Sequence, residues 1–513
     1  MDWFWSTGPF WFALFLVSMF FNARAAFKLL LDWKGMLTTC RFIEDEYAAL
    51  DRLPTEVALE HQPGAPVFVH LVPAFYEPGI AETLTALLAS RYPHGRLHVI
   101  VATREEEERA PHPSMPTTTA ELVRRYREAL PPWQQKMLTL VVAPTAPGRK
   151  AHQLNWALRP ETLCAVLGET WDATNVFVGV SDADSLPDPN VYRWIAADVL
   201  AGRGRTAYQG VTLSLANFER LGQRGRVCAI QQSSIFIRVS IARLINEVRR
   251  VTWFGRFRAR WPRLAALVRP VFELGFRRSQ ICLGHNTFLR LDLLASLDGF
   301  PTSGATEDST LGYALGARGL LMAPMPMLEL VDLPESREKM VRQNARWYKG
   351  VLDDVPFLWR VWRAAPSAFN AAQLGRHLGN KVIEWPIAAL VYPFTGWLGW
   401  YLAYQYRAEH PVFFYFGIGA PTVSLALTVW VGGIVTQNSI EALRPYLPHP
   451  VDLQRKSWKE KFLGTFRCQT YWLLATRAAW RVLWSLWRTG VYEAAKTDRV
   501  TARRTTGHLK RSA

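Results

Sequence analysis

Thirty consecutive residues, 411–440, carry no charged side chain, and an uncharged run of 22, residues 385–406, lies just before them. Crossing the hydrocarbon core of a bilayer takes about 20 such residues. Only Arg407, Ala408, Glu409 and His410 separate the two runs, which is the spacing of a helical hairpin with a short loop. Buried core helices are the competing reading. Trp and Tyr near the run ends favour spanning, because these rings settle at headgroup level. A third run, residues 3–21, holds 19 residues without a charge and is followed by Arg24, Lys28 and Lys34. It lacks the basic start and the small-residue cleavage site of a signal peptide. Basic residues on its far side place the downstream chain in the cytoplasm. The expected organisation is an N-terminal anchor over 1–34, a long polar middle, and a transmembrane hairpin within 382–440.

Composition narrows the remainder. A chain of 513 residues that is 49% hydrophobic and 20% charged has too much core-forming material to be disordered. Five scattered Cys (40, 164, 228, 282, 468), with no CxxC pair, exclude a disulfide scaffold and a thiolate zinc site. A net charge of +17 calls for an anionic partner, nucleic acid or lipid. A membrane tether already accounts for the charge, so no nucleic-acid partner is expected. Residues 243–278 hold ten Arg against two Glu, interleaved with Trp253, Phe254, Phe257 and Trp261. A solvated basic face is the bland reading; the aromatics favour an insert resting on an anionic membrane surface. Residues 471–489 read as an interfacial helix, with Arg477 and Arg481 on one face and Trp472, Leu473, Trp480, Leu483 and Trp487 on the other. A span there would put Arg503, Arg504, Lys510 and Arg511 outside, against the charge rule. Residues 351–381 are expected to be interfacial as well, and 441–513 cytoplasmic.

The polar middle reads as α/β. Apolar runs at 67–72, 97–102, 137–142 and 176–180 alternate with helical patterns, the signature of a parallel sheet covered on both faces. Ligands of such sheets bind beyond the carboxyl ends of the strands. The polar clusters fall there. Asp182 and Asp184 follow the fourth run, and two carboxylates beside phosphate oxygens suit Mg²⁺ or Mn²⁺. Gly148-Arg149-Lys150 opens a helix that carries Asn155, a seat for a diphosphate or ribose. Thr306-Glu307-Asp308 starts another helix, where a carboxylate pair caps the dipole at the least. Gln343, Arg346 and Trp347 share a helical face at i, i+3 and i+4: a hydrogen-bonding group, a phosphate grip and a flat ring for a sugar.

Each motif alone is weak. In this order (VPAFYE at 72–77, GRKAHQLN at 148–155, DAD at 182–184, GHNTFLR at 284–290, TED at 306–308, QNARW at 343–347) they are specific. The chain resembles the membrane-embedded inverting family 2 glycosyltransferases related to cellulose, hyaluronan and mannan synthases. The likeness is close over 65–350, and the flanking helices match in arrangement. It implies a GT-A type, nucleotide-sugar-binding α/β domain with a mostly parallel sheet on the cytoplasmic face. A UDP- or GDP-linked sugar would be transferred with inversion to a glycan acceptor in polysaccharide synthesis. By the same resemblance, Asp308 is the general base and Glu307 its neighbour. Asp184, with Asp182, holds Mg²⁺ or Mn²⁺. Lys150, Asn155, Asp182, Gln343 and Arg346 bind the donor, and Trp347, Gly284 and His285 face the acceptor. One departure concerns the base: where many relatives carry an Asp pair after the second strand, this chain has Thr103, Arg104 and Glu105 to Glu108, so Thr103 or one of the Glu would substitute. No cyclic-nucleotide switch is implied. Single-transfer glycosylation of a lipid, as in ceramide glucosyltransferases, is the alternative within enzymes, and an inactive membrane scaffold is the remote one. A homo-oligomer would supply the further helices that a polymer channel needs.

Overall fold

The computed structural model describes residues 2–110, 115, 117–146, 149–276, 280, 282–405, 411–453 and 458–492. Gly148, Arg277 and Arg278, the 406–410 loop and the basic tail at 503–511 lie outside the described residues.

Eight strands form one sheet. They are β1 (Val67–Pro73), β2 (Leu97–Arg104), β3 (Leu138–Ala143), β4 (Val176–Val180), β5 (Leu186–Pro187), β6 (Ala207–Leu213), β7 (Thr287–Arg290) and β8 (Ala323–Leu330). The order across the sheet is β3-β2-β1-β4-β7-β6-β8-β5. The four apolar runs of the sequence are β1 to β4, and they pair in parallel. The sheet beyond β4 corrects the expectation of a mostly parallel array. There β7 lies antiparallel to both β4 and β6, β6 and β8 run parallel, and β5 pairs antiparallel with β8. These strands escape a periodicity reading for physical reasons. β5 and β7 are two and four residues long, and β8 carries Pro324 and Pro326, which argue against a central strand. β8 tolerates them where its register with β6 slips between Gln209 and Val211.

Strand side chains alternate between two cores. From β1, Phe68 and Val72 enter an aromatic core with Tyr92, Tyr192 and Phe288, while Val69 and Leu71 enter the other. That second core also receives Met36 and Ile43 from a 47-residue helix, Asp2–Ala48. At 1.5 Å per residue this helix is about 70 Å long, enough to be both anchor and core element. Near its start, Ser18 Oγ donates to Thr395 O at 2.6 Å and Asn22 Nδ2 to the same carbonyl at 3.2 Å. Lower down, Arg24 and Lys28 flank Glu384 at 2.9 and 3.1 Å. At its end, Glu46 accepts from Trp194 Nε1 at 2.9 Å and Tyr47 Oη donates to Asp188 at 2.6 Å.

The helices Phe10–Ala48 and Phe414–Ala442 are long and apolar enough to cross a membrane, with mean hydropathies of 1.6 and 1.7. On length and composition alone this points to membrane association. The segment after residue 350 is helical: Arg337–Ala364 runs straight through it, followed by Ala368–His377. The last described helix, Trp458–Thr489, starts earlier than expected and presents its faces differently. Tyr471, Leu474, Ala475, Ala478, Ala479 and Val482 are buried against the protein, while Arg477, Trp480, Arg481, Trp484 and Trp487 are all exposed. Arginine and tryptophan therefore share a face. The cause is the row of small alanines, which lets this helix approach the Arg337–Ala364 helix closely, with Arg481 bonded to Glu338 at 2.5 Å.

Tyr47→Phe removes one buried donor and leaves the Asp188 carboxylate short of a partner. Such a loss costs about 1–3 kcal/mol. The midpoint of thermal unfolding in detergent should fall by several degrees; an unchanged midpoint would mean that this contact does not hold the helix to the sheet.

Candidate active site

The carboxyl ends of β1, β2 and β4 open into a cavity of about 2010 Å³. Its polar wall comprises Asp182, Lys150, His285, Thr306 to Ser309, Gln343, Asn344 and Arg346, with Trp347 beside them. Residues scattered over 200 positions of sequence thus meet in one place. The hub is Lys150. Its Nζ donates to Asp182 Oδ1 at 2.7 Å and to Gly284 O at 2.8 Å, and lies 3.4 Å from Glu307 Oε1. Burial works to discharge this ammonium, but Asp182, Glu307 and Asp308 outweigh it and hold the Lys150 pKa above its ordinary value.

Asp308 experiences the opposite balance. Burial first, then the charge of Glu307, pushes its carboxyl up to about 6, with Lys150 opposing. Its Oδ1 accepts from the Ser309 amide at 2.7 Å. Gly284 makes room for it: φ there is +74°, and a Cβ would stand 2.8 Å from Asp308 Oδ2. His285 lines the same wall, its Nδ1 2.8 Å from Glu329 Oε2 and 3.1 Å from Thr212 Oγ1. Burial disfavours the imidazolium, yet the bond to Glu329 and its charge raise the His285 pKa. Glu329 is wholly buried in β8 and also accepts from Ser181 Oγ at 2.7 Å. Nothing in the sequence marked it, because an acidic residue inside an apolar strand next to two prolines carries no pattern.

The Arg337–Ala364 helix supplies more than Gln343, Arg346 and Trp347. Continuing down the same stripe are Gly350, Asp353 and Asp354. Asp353 Oδ2 accepts from the Ala305 amide at 3.1 Å, just before Thr306. Asp354 accepts from Ser309 Oγ at 2.6 Å and Thr310 Oγ1 at 2.7 Å, just after Asp308. Gly350 lies so close to Thr306 that a Cβ would meet Thr306 Oγ1 at 2.0 Å. The helix start bearing Glu307 and Asp308 is therefore clamped on both sides by one helix. Extending the i, i+3, i+4 spacing three turns beyond Gln343 leads to Asp353 and Asp354, a signal that was present in the sequence and stopped short at Trp347.

Three expected site residues stand apart from the cavity wall: Asn155, Asp184 and Gly284, whose carbonyl accepts from Lys150. Asn155 spends both ends of its amide on Phe300, Nδ2 to O and Oδ1 from N, each at 2.8 Å, and so holds the turn after Asp298. Asp184 is buried behind Asp182, its Oδ2 accepting from the Asp332 amide at 3.2 Å. At the end of β2, Thr103 is buried, and in the helical turn that follows, Glu107 accepts from Thr119 Oγ1 at 2.7 Å and from the Tyr76 amide at 3.2 Å. Glu106 is the member of that acidic run that reaches the cavity, 2.5 Å from Arg104, whose guanidinium lies 5.0 Å from the Phe75 ring centre. Among the described residues no three His, Cys, Asp or Glu side chains cluster as a metal cage. Asp182 and Asp184 nonetheless fit a hard divalent cation, since they offer oxygen donors only and such ions take one or two carboxylates and complete their shell with phosphate oxygens and water.

The chain belongs to the glycosyltransferase like family 2, whose model matches residues 65–350. It is similar to the mannosyltransferase PcManGT from Pyrobaculum calidifontis in complex with GDP-Man and Mn²⁺, at 18% identity and a TM-score of 0.42, covering 91% of this chain and 99% of that one. S. aureus TarS 1–349 is similar at 12% identity and a TM-score of 0.33, covering 73% and 91%. The same TarS fragment in complex with UDP-GlcNAc gives 13%, 0.28, 73% and 92%. No curated protein sequence matches.

The clamp makes Asp354 a positioning residue. Asp354→Ala should lower turnover while donor affinity stays within about threefold, since a 1 Å misplacement of a reacting group can cost about 10² in rate. Equal losses in donor binding and turnover would mean that the clamp supports the whole fold and not the Glu307–Asp308 helix start.

Proposed function

We propose that this chain is a membrane-bound inverting glycosyltransferase that moves a sugar from a UDP- or GDP-linked donor to a glycan acceptor in polysaccharide synthesis, with its catalytic domain on the cytoplasmic face. The observation that carries the reading is the convergence, in one cavity, of Glu307 and Asp308 with Lys150 and Asp182. Inversion is one displacement. The acceptor oxygen bonds to the anomeric carbon as the bond to the diphosphate breaks, and the acceptor proton must leave. Asp308 takes that proton. Pushed up to about 6, its carboxyl is ionised at neutral pH yet basic enough to share a proton in the transition state. Glu307, beside Lys150, orients the helix start. Lys150, Gln343 and Arg346 hold the diphosphate, and Trp347 offers its face to the acceptor sugar, with Gly284 and His285 at its side. Asp184 and Asp182 would hold Mg²⁺ or Mn²⁺, which would offset the charge that gathers on the leaving diphosphate.

A second reading, single transfer to a lipid, draws on one observation: the cavity continues past Glu384 to Trp397, Trp400, Pro421 and Ser424 on the apolar helices. Membranes offered a panel of UDP- and GDP-sugars decide between them. Polymer left in the aqueous phase supports the first reading and a glycolipid in the organic extract the second. No turnover of any donor, with no donor hydrolysis, leaves an inactive scaffold.

Asp308→Asn keeps the shape but accepts no proton at neutral pH. Turnover should fall 10²–10⁴-fold with donor affinity nearly unchanged. In the wild type, protonation of Asp308 silences the base, so turnover should fall as the pH drops through about 6. A near wild-type Asp308→Asn beside a dead Glu307→Gln would exchange the two roles.

The cation makes a separate prediction. Chelation by EDTA and Asp184→Asn should each abolish turnover, and Asp184→Asn should also weaken the binding of Mn²⁺ that electron paramagnetic resonance detects in the presence of nucleoside diphosphate. Full activity in EDTA would remove the metal from the mechanism.

A further inference from the structure

The chain leaves the sheet after β6 and returns at β7, and between them it builds a projecting pair of helices, Ala242–Arg260 and Pro262–Val271. Phe254 stacks on Phe272 at 4.1 Å, folding the second helix back on the first. Both ends of the excursion are tied to other elements. At the root, Arg238 pairs with Asp32 at 3.4 Å and the Ile237 carbonyl accepts from Thr39 Oγ1 at 2.9 Å, both on the Asp2–Ala48 helix. At the far end, the Leu274 carbonyl accepts from the guanidinium of Arg376 on the Ala368–His377 helix.

On the second helix Ala265 faces inward, as does Phe272 just past its end, at 1% and 7% exposure. Leu264, Leu267, Val271 and Leu274, at i, i+3, i+7 and i+10, form one outward stripe exposed by 47, 76, 63 and 56%. Four large aliphatic side chains in a row are not placed in water without a partner. Trp253 and Trp261 are exposed beside them, at 61 and 53%, and so are Arg256, Arg258, Arg260 and Arg263. An apolar stripe bordered by tryptophan and arginine fits an anionic bilayer, the stripe reaching the acyl boundary and the guanidinium groups the headgroup phosphates. The root position agrees. On the Asp2–Ala48 helix, exposed apolar side chains continue past the uncharged run through Phe27, Leu30, Leu31 and Trp33 to Leu37. The helix pair therefore springs from the part of that helix where lipid-facing surface gives way to protein.

We infer that the 242–274 helix pair is a docking element for the anionic headgroup surface of the membrane. Its inner side carries Arg243, Asn246 and Arg250 on the cavity wall, so docking also fixes the mouth of the cavity at headgroup level. The inference rests on the membrane-bound reading of the chain but not on its chemistry.

The test uses the full chain in lipid nanodiscs. A nitroxide at Leu267→Cys, in a chain with the exposed Cys164 replaced by Ser, is compared with one at Val57→Cys, whose native side chain is 67% exposed on a short surface helix. The same chain lacking either new cysteine supplies the background. In discs containing phosphatidylglycerol, the probe at 267 should relax severalfold faster with lipid-dissolved oxygen than with an aqueous nickel chelate, while the probe at 57 shows the reverse. Replacing Arg256, Arg258, Arg260 and Arg263 together with Gln should return the probe at 267 to aqueous behaviour with nucleotide binding intact. An aqueous probe at 267 in the unsubstituted anionic-disc sample overturns the inference. So does a probe shielded equally in lipid and detergent by a chain that elutes as an oligomer, which would make the stripe a contact between copies. If sugar transfer fails in every disc while the probe still reports lipid, the proposed reaction falls and the docking stands.

Discussion

One ammonium group makes the site tenable. Asp182, Glu307 and Asp308 converge on one cavity, and carboxylates drawn together repel one another and resist ionisation. Lys150 sits among them, bonded to Asp182 and beside Glu307. It comes from the helix after β3, whereas its partners come from the end of β4 and from a helix more than a hundred residues later. Its third contact, to the Gly284 carbonyl, fixes the backbone turn that gives Asp308 its room. The charge of Lys150 is shared, so burial and the charge of Glu307 still push the Asp308 carboxyl up to about 6.

The second constraint is mechanical. The Arg337–Ala364 helix presents Gln343, Arg346 and Trp347 to the cavity and holds the Glu307–Asp308 helix start through Gly350, Asp353 and Asp354. Its other side packs against the Trp458–Thr489 helix, and Tyr348 bonds the Val382 carbonyl at 3.0 Å, just ahead of the Glu384–Gln405 helix. One rod thus joins the carboxylates to the apolar helices. Where the family match ends at residue 350, the structural unit does not: the clamp lies beyond it, in 353–354.

Legibility in the sequence depended on which interactions are local. β1 to β4 were legible because each is a long apolar run with a loop of polar residues after it. The motif residues Lys150, Asp182, Glu307, Asp308, Gln343, Arg346 and Trp347 were legible as chemistry at strand ends and helix starts, and the cavity brings them together. The rest was set by partners distant in sequence. Asn155 looked like a ligand because it follows Lys150 at helical spacing, yet Phe300, which claims its amide, is 145 residues away. Glu329 has no local signature at all and acquires its role from the residue it faces, His285; Asp354 continues the helical spacing of Gln343, Arg346 and Trp347, but its role comes from Ser309, which it faces across the fold. The Trp458–Thr489 helix was misread for the same reason. Its face was assigned by polarity, but the alanines decided it, because close packing against another helix outweighs the cost of leaving tryptophan outside.

The size of the cavity bears on how the acceptor arrives. Sites that enclose one small ligand run to about 300–1,000 Å³, and this one is about 2010 Å³. Its strand-end wall carries Lys150 and Asp182, which the proposed function gives to the donor diphosphate and its cation. Its opposite wall runs by way of Lys28 and Glu384 to Trp397, Trp400 and Ser424. On the proposed reading the donor fills the strand-end part and the acceptor the remainder. A base beside the donor reaches the acceptor hydroxyl only when both substrates are held in register, which is how positioning contributes to rate. The polar ladder of Ser18, Asn22 and Thr395 ties the Asp2–Ala48 helix to the Glu384–Gln405 helix by directional bonds, which fix the register of the two helices as an apolar contact would not.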